Sequence, residues 1–299
     1  MARTKAATNG ARTNGLQHED VGNIISLEHV NVTHPDQLLA TLFYIVGMGF
    51  TRDPYMNVGL NNMWANLGEQ QFHLPTRDPQ AIPGHIGIVV PDLEALARRL
   101  ASVKDQLAHT RFDYSVEDGY VAATCPWGNH FRCYAPHPRF GEILIGLPYV
   151  ELLAPPGTAA GIARFYRQVL MAPTSVKHDA QGTAAAVRIG TYQWLSFRET
   201  DEKLPPYAGH HIAIYVANFS KPYNFMKTHG LIMEEVINHQ FRFKDIVAPD
   251  SGEHLFTLEH EVRNLYHRMY RRHMVNRNPD QSQMSYNPGH DALIPVGAR

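Results

Sequence analysis

The sequence predicts an α+β protein built from four copies of a βαβββ module and followed by a C-terminal helix and tail. Three observations carry this reading. Four short strands open alike at intervals of roughly 60 residues: Ser26-Leu-Glu-His29-Val-Asn-Val, Gly84-His85-Ile-Gly-Ile-Val-Val, Leu147-Pro-Tyr149-Val-Glu-Leu-Leu and His210-His211-Ile-Ala-Ile-Tyr-Val. Three of the four carry a histidine at the same place. Each is followed, roughly six to eight residues on, by a Pro, Asp or Ser that opens an apolar pattern of helical period. An inward polar residue repeated on the first strand of a duplicated unit suggests a cup built to hold a metal.

In the first module Leu38, Leu39, Leu42, Phe43 and Val46 recur at helical spacing behind Pro35-Asp36, and Gly47 and Gly49 end that helix. Strands follow over 51–56, 62–67 and 70–74. The second module repeats the order. Leu93, Leu96, Leu100 and Val103 share one helical face behind Pro91-Asp92, and strands are expected over 112–116, 120–124 and 130–134. In the third, Ile162, Phe165, Tyr166, Val169 and Leu170 mark the helix, with strands over 175–178, 184–189 and 194–198. The fourth has a short helix over 222–228 and strands over 233–238, 244–248 and 254–258. Val262, Leu265, Tyr266, Met269 and Tyr270 then form a helical stripe, and beyond Asn278 the polar composition reads as a loose tail.

Composition narrows the function. Hydrophobic residues make up 44% and charged residues 18%, as in an ordinary globular protein. A net charge of −1 gives no field to draw nucleic acid. No apolar run approaches the ~18 residues of a membrane span. Residues 1–23 read as a flexible leader without the apolar core of a secretory signal. The two cysteines, Cys125 and Cys133, are too few for a disulfide framework or a cysteine zinc site, so they read as reduced thiols of a cytoplasmic protein. No phosphate loop or nucleophile elbow is visible.

The βαβββ repeat resembles the vicinal oxygen chelate superfamily, which includes glyoxalase I, fosfomycin-resistance proteins and extradiol dioxygenases. The resemblance runs from about Ile24 to Glu261. Two turns sharpen it: Cys125-Pro126-Trp127-Gly128-Asn129, similar to the family's Asp-Pro-x-Gly-Asn turn, and its counterpart Pro249-Asp250-Ser251-Gly252. The family closes two modules into one open-barrel cup around one metal. Four modules then imply two cups, expected as a first domain over 24–138 and a second over 139–262, with the helix and tail over 263–299.

The family draws its ligands from the first and fourth strands of each module. Carried over, these positions are His29 and His73, His85 and Arg132, Tyr149 and Ser196, and His211 and Phe256, separated by 44, 47, 47 and 45 residues. The resemblance therefore implies a metal site at His29, His73 and His85, with open positions for water, substrate or dioxygen. A divalent metal is implied, with Fe(II) favoured and Mn, Zn, Ni or Co alternatives. The expected partner is a small, anionic substrate, with no nucleic acid and no membrane, and a homo-oligomer is open. Arg132 stands where the family has a glutamate ligand, and guanidinium cannot coordinate. Either Arg132 binds a substrate carboxylate, or the metal is lost, or the register is shifted so that His130 or Tyr134 faces inward. Arg132, His130, Tyr134 and His211 are the candidate substrate-binding residues. The implied activity is a dioxygenase acting on a hydroxylated aromatic acid. The alternatives are a glyoxalase-like isomerase or lyase and a non-catalytic protein that sequesters a small molecule.

Overall fold

The computed structural model describes residues 20–56, 59, 61–236 and 239–295. Of the expected leader, residues 1–19 lie outside that set. The first module contributes β1 (Ile24–Asn31), β2 (Thr51–Arg52), β3 (Asn62–Leu67) and β4 (Gln70–Pro75). The second contributes β5 (Gly84–Val89), β6 (Asp113–Glu117), β7 (Tyr120–Thr124) and β8 (His130–Tyr134). The third has β9 (Gly146–Ala154), β10 (Thr174–Asp179), β11 (Gly182–Gly190) and β12 (Gln193–Glu199). The fourth has β13 (His211–Val216), β14 (Glu234–Val236), β15 (Gln240–Val247) and β16 (His254–Asn264).

Each module's helix sits between its first and second strands. These are α1 (Gln37–Ala40), which runs on as a π-helical stretch Thr41–Gly47, α2 (Leu93–Ser102), α3 (Ala159–Gln168) and α4 (Ser220–Thr228). The Asp of each Pro-Asp pair caps its helix. Asp36 accepts from the N–H groups of Leu38 and Leu39 at 2.8 and 2.9 Å, and Asp92 from that of Ala95 at 3.0 Å. The apolar helix faces bury Phe43, Tyr44, Leu96, Leu100, Phe165 and Tyr166 in one continuous core with the sheets. Both cysteines are free and buried. Among the described residues no helix is long and apolar enough to cross a membrane.

The strands form two eight-stranded sheets, and the pairing of modules differs from the expectation. The first sheet runs β2-β3-β4-β1-β13-β16-β15-β14 and the second β6-β7-β8-β5-β9-β12-β11-β10. Module one therefore pairs with module four, through antiparallel β1 and β13. Module two pairs with module three, through antiparallel β5 and β9. The consecutive division into 24–138 and 139–262 is replaced by a nested one, in which modules two and three are inserted within the first sheet. The linker after β4 explains the outcome. Its backbone is held alongside the end of β1, with Arg77 N–H donating to His34 O at 3.0 Å and Gln80 N–H to Thr33 O at 3.1 Å. Asn129, from the 125–129 turn, then grips it from the second sheet. Its amide donates to Gln80 O at 2.8 Å and its Oδ1 accepts from Ile82 N–H at 2.9 Å. The chain is thus passed to the second sheet, and the free side of β1 is left for β13.

The C-terminal segment also differs. The stripe from Val262 is not helical: β16 extends to Asn264 and residues 265–295 form turns. The segment is not loose: past Asn278, Asp280 pairs with Arg99 at 2.7 Å, and before it polar side chains reach the first module. Asn276 exchanges two hydrogen bonds with the backbone of Gly68, at 2.8 and 2.9 Å. Arg272 pairs with buried Asp53 at 2.8 Å, and Arg277 donates to Ile45 O at 3.0 Å.

Candidate metal centre

In every module the first strand lies parallel to the fourth, and the register defines equivalent positions. The residue two beyond each first-strand position faces a fourth-strand partner. Asn31 pairs with His73, Gly87 with Arg132, Glu151 with Ser196 and Ala213 with Glu261. The register thus places His73, Arg132 and Ser196 where the sequence spacing put them, and replaces Phe256 by Glu261. Phe256 is buried in the core against Phe197, with ring centroids 5.3 Å apart. β16 is 11 residues long, and an offset of five is odd, so Phe256 points to the opposite face from Glu261.

Because module one pairs with module four, the first cup carries His29, His73, His211 and Glu261. The candidate ligand atoms of the three histidines all lie within 4.8 Å of one another. Each ring keeps a buried Nε2 without a hydrogen-bond partner. Buried imidazole nitrogens are normally satisfied, so three unpartnered rings grouped this closely fit a metal that would complete them. Glu261 Oε2 lies 3.8 Å from His211 Nε2, at the fourth position. His85 is not part of this group, because β5 belongs to the second sheet. The set expected as His29, His73 and His85 thus exchanges His85 for His211, which had been assigned to substrate.

The side chains around the cluster fix its orientation and charge. A bulge between Leu27 and His29 lets two successive residues, Glu28 and His29, both be buried. Gln193, reaching from the second sheet, holds that bulge: its Oε1 accepts from Leu27 N–H at 3.0 Å and its amide donates to Leu147 O at 3.1 Å. Glu28 accepts a hydrogen bond from His29 Nδ1 and is paired with Arg263 at 2.9 Å. Burial alone would raise the Glu28 carboxyl, but His29 and Arg263 beside it hold it down at about 2. Burial pushes the His73 imidazole down to about 2 and lowers His211 as well, so both rings are neutral, the form that ligates. Trp64 stacks on His73 at 3.9 Å. Glu261 also binds Arg242 at 2.5 Å and contacts Arg263, while Arg242 reaches Glu259 at 2.7 Å. Three carboxylates thus face two guanidinium groups, a residual negative charge that a dication would reverse.

Glu28, Glu261, Arg242 and Arg263 were not among the sequence candidates. The signal for Glu261 was the alternation Glu259-His-Glu261-Val-Arg263 running past the expected strand end.

The second cup receives His85, Arg132, Tyr149 and Ser196. His85 Nε2 lies 3.1 Å from Tyr149 Oη, which lies 3.1 Å from Tyr134 Oη. Arg132 and Tyr134 are therefore on the other sheet from His29 and His73. His130 does not enter either cup: it is exposed at the start of β8 and bonds Thr124 at 3.0 Å.

No family model matches the sequence, and no curated protein does. Solved structures do match. Glyoxalase I from Zea mays superposes with a TM-score of 0.54 at 15% identity, over 80% of this chain and 92% of that one. A provisionally assigned dioxygenase from Bacillus subtilis superposes with a TM-score of 0.52 at 13% identity, over 81% and 86%. The chain has the vicinal oxygen chelate fold. At these identities the likeness concerns the fold alone. In this vicinal oxygen chelate fold the two cups are chemically distinct: one gathers three unsatisfied imidazoles and a carboxylate, the other a guanidinium, hydroxyls and one imidazole.

Proposed function

We propose that the chain is a divalent-metal enzyme acting on a small anionic molecule in the cup formed by modules one and four. The observation that carries this is the grouping of His29, His73 and His211 with ligand atoms within 4.8 Å of one another, each ring keeping a buried Nε2 without a partner. An imidazole set with an adjacent carboxylate suits Fe(II), and also Mn, Co, Ni or Zn. Such a metal would supply Lewis acidity to a bound substrate, or activation of dioxygen. The chain's own residues would do the rest. Glu28 would set the tautomer of His29 by accepting a hydrogen bond from its Nδ1–H. Trp64 and the surrounding sheet keep water from the His73 ring. Arg242, about a quarter exposed, is the cation beside the cluster that an anionic group can reach.

The leading version is an Fe(II) dioxygenase of hydroxylated aromatic acids. Arg242 engages both Glu259 and Glu261, and Arg263 also holds Glu261, so neither carboxylate is a free base for isomerisation. The second version is a glyoxalase-like isomerase. It is favoured by the same carboxylates if a bound substrate draws Arg242 away from Glu261. Anaerobically Fe(II)-loaded protein given 3,4-dihydroxybenzoate in an oxygen electrode is expected to consume oxygen, and His211→Ala to abolish this. Oxygen consumption equal in His211→Ala would remove the first version. Exchange of the α-hydrogen of an α-hydroxyketone with deuterated water, lost in Glu261→Gln, would establish the second.

A further inference from the structure

We infer that the second cup is a separate, metal-independent binding site for the carboxylate of a small planar acid, with Arg132 as its anchor. The inference does not depend on the metal reading of the first cup.

Arg132 holds the register position equivalent to His73 and points its charge into the cup, where it is among the groups lowering the His85 imidazole after burial itself. It makes no hydrogen bond and no ion pair among the described residues. Its guanidinium lies over the Tyr120 ring, 5.9 Å from the centroid. Arg198, on β12 of the same sheet, already has anionic partners: it pairs with Glu151 at 3.3 Å and bidentately with Asp179 at 2.9 and 3.2 Å. Glu151 is also held by Ser196, whose hydroxyl donates to it at 3.0 Å. A half-buried guanidinium without an acceptor beside a carboxylate already occupied is matched to an anion from outside.

The surroundings set the ligand's shape. The strand neighbours of Arg132 are Gly87 on β5 and Ala122 on β7, both small, and the space over Gly87 is taken by the Tyr149 ring. Gly87 is small of necessity, since a Cβ there would come within 2.2 Å of the Tyr149 ring. That ring can therefore lie across the strand and present its hydroxyl between His85 and Tyr134. Tyr120 and Tyr134, with ring centroids 5.6 Å apart, line the cup beside Arg132. Flat aromatic walls, tyrosine hydroxyls and the unpaired Arg132 guanidinium fork select a planar group bearing a carboxylate. They do not make a metal site, because guanidinium and neutral phenol are not ligands for a dication here.

The test uses benzoate as probe and the full chain freed of metal by EDTA, followed by isothermal titration. Benzoate is expected to bind at one site per chain, and neutral benzamide at least tenfold more weakly. Arg132→Gln is expected to weaken benzoate at least tenfold, and Arg132→Lys, which keeps the charge but not the fork, by less. His73→Ala, in the other cup, is expected to leave benzoate binding unchanged. If Arg132→Gln fails to fold by circular dichroism, Gly87→Ala displaces the Tyr149 ring and must weaken benzoate in its place. Absence of benzoate binding, full binding in folded Arg132→Gln or in Gly87→Ala, or loss of binding in folded His73→Ala would each overturn the inference.

Discussion

Glu28 accepts a hydrogen bond from His29 Nδ1–H, and the buried Nε2 of the same ring is left without a partner beside His73 and His211. Carboxylate, imidazole and candidate metal position form a chain, and Arg263 anchors its outer end at 2.9 Å. Outer partners of this kind fix ring orientation and raise ligand basicity. Glu28→Gln keeps the shape but loses the anion. It is expected to weaken metal binding about 10- to 100-fold without unfolding the protein, as measured by competition with a chromophoric chelator. Wild-type affinity in this variant would show that the orientation of His29 is set elsewhere.

Gln193 couples the two sheets at the point where His29 is placed. Its side chain serves Leu27 N–H and Leu147 O together. Gln193→Ala leaves buried backbone groups unsatisfied, at a cost of about 1–3 kcal/mol. Thermal unfolding should show a lowered midpoint, and the metal affinity should fall with it. A lowered midpoint with unchanged affinity would mean that the bulge survives without Gln193.

Much of this arrangement was legible in the sequence, and the part that was not has a physical cause. The repeated strand openings located every module, and the 44- to 47-residue separations found the cup-facing positions His73, Arg132 and Ser196. These depend on local alternation and on hairpins of similar length. Which modules pair is not local. It depends on where Asn129 grips the linker at Gln80 and Ile82, a contact across 47 residues and more. Once that pairing changed, His85 and His211 changed cups although neither moved within its own module. Glu261 was missed because β16 is longer than the other fourth strands, so counting 45 residues from His211 landed on the core face at Phe256. The stripe after Val262 has helical spacing, but Arg263 is fixed in the strand by Glu28 and Glu261.

The C-terminal turns are expected to be part of the folded unit. Asn276→Ala removes both bonds to the Gly68 backbone, where a positive φ of 67° and a close approach to Ile145 O leave no room for repair by a side chain. A loss of about 1–3 kcal/mol is expected, along with faster proteolysis within residues 265–295. A cleavage pattern identical to wild type would contradict the docking of this segment.

Acid should destabilise the protein earlier than its carboxylates require. Burial pushes His34 and His210 down to about 4 and His260 to about 3, all outside the candidate metal set. Unfolded, each would titrate near 6.5. Below that pH the unfolded chain binds more protons, so stability is present above 6.5 and is lost as the pH falls toward 4 and then 3. Each group contributes about 1.4 kcal/mol per pH unit, so these three give a slope of about 4 kcal/mol per pH unit between pH 6 and 5, and His85 and His267, which burial also lowers to about 4, steepen it further. Urea midpoints across that range measure it, and a flat profile down to pH 5 would show that these rings find proton-accepting partners.

The most direct test of the metal centre is the metal content of the purified chain and two single variants, reconstituted with Fe(II) without oxygen and freed of excess. One equivalent is expected in the wild type and in His85→Ala, and none in His211→Ala. Retention of metal by His211→Ala together with its loss from His85→Ala would contradict the assignment of the centre to the cup of modules one and four.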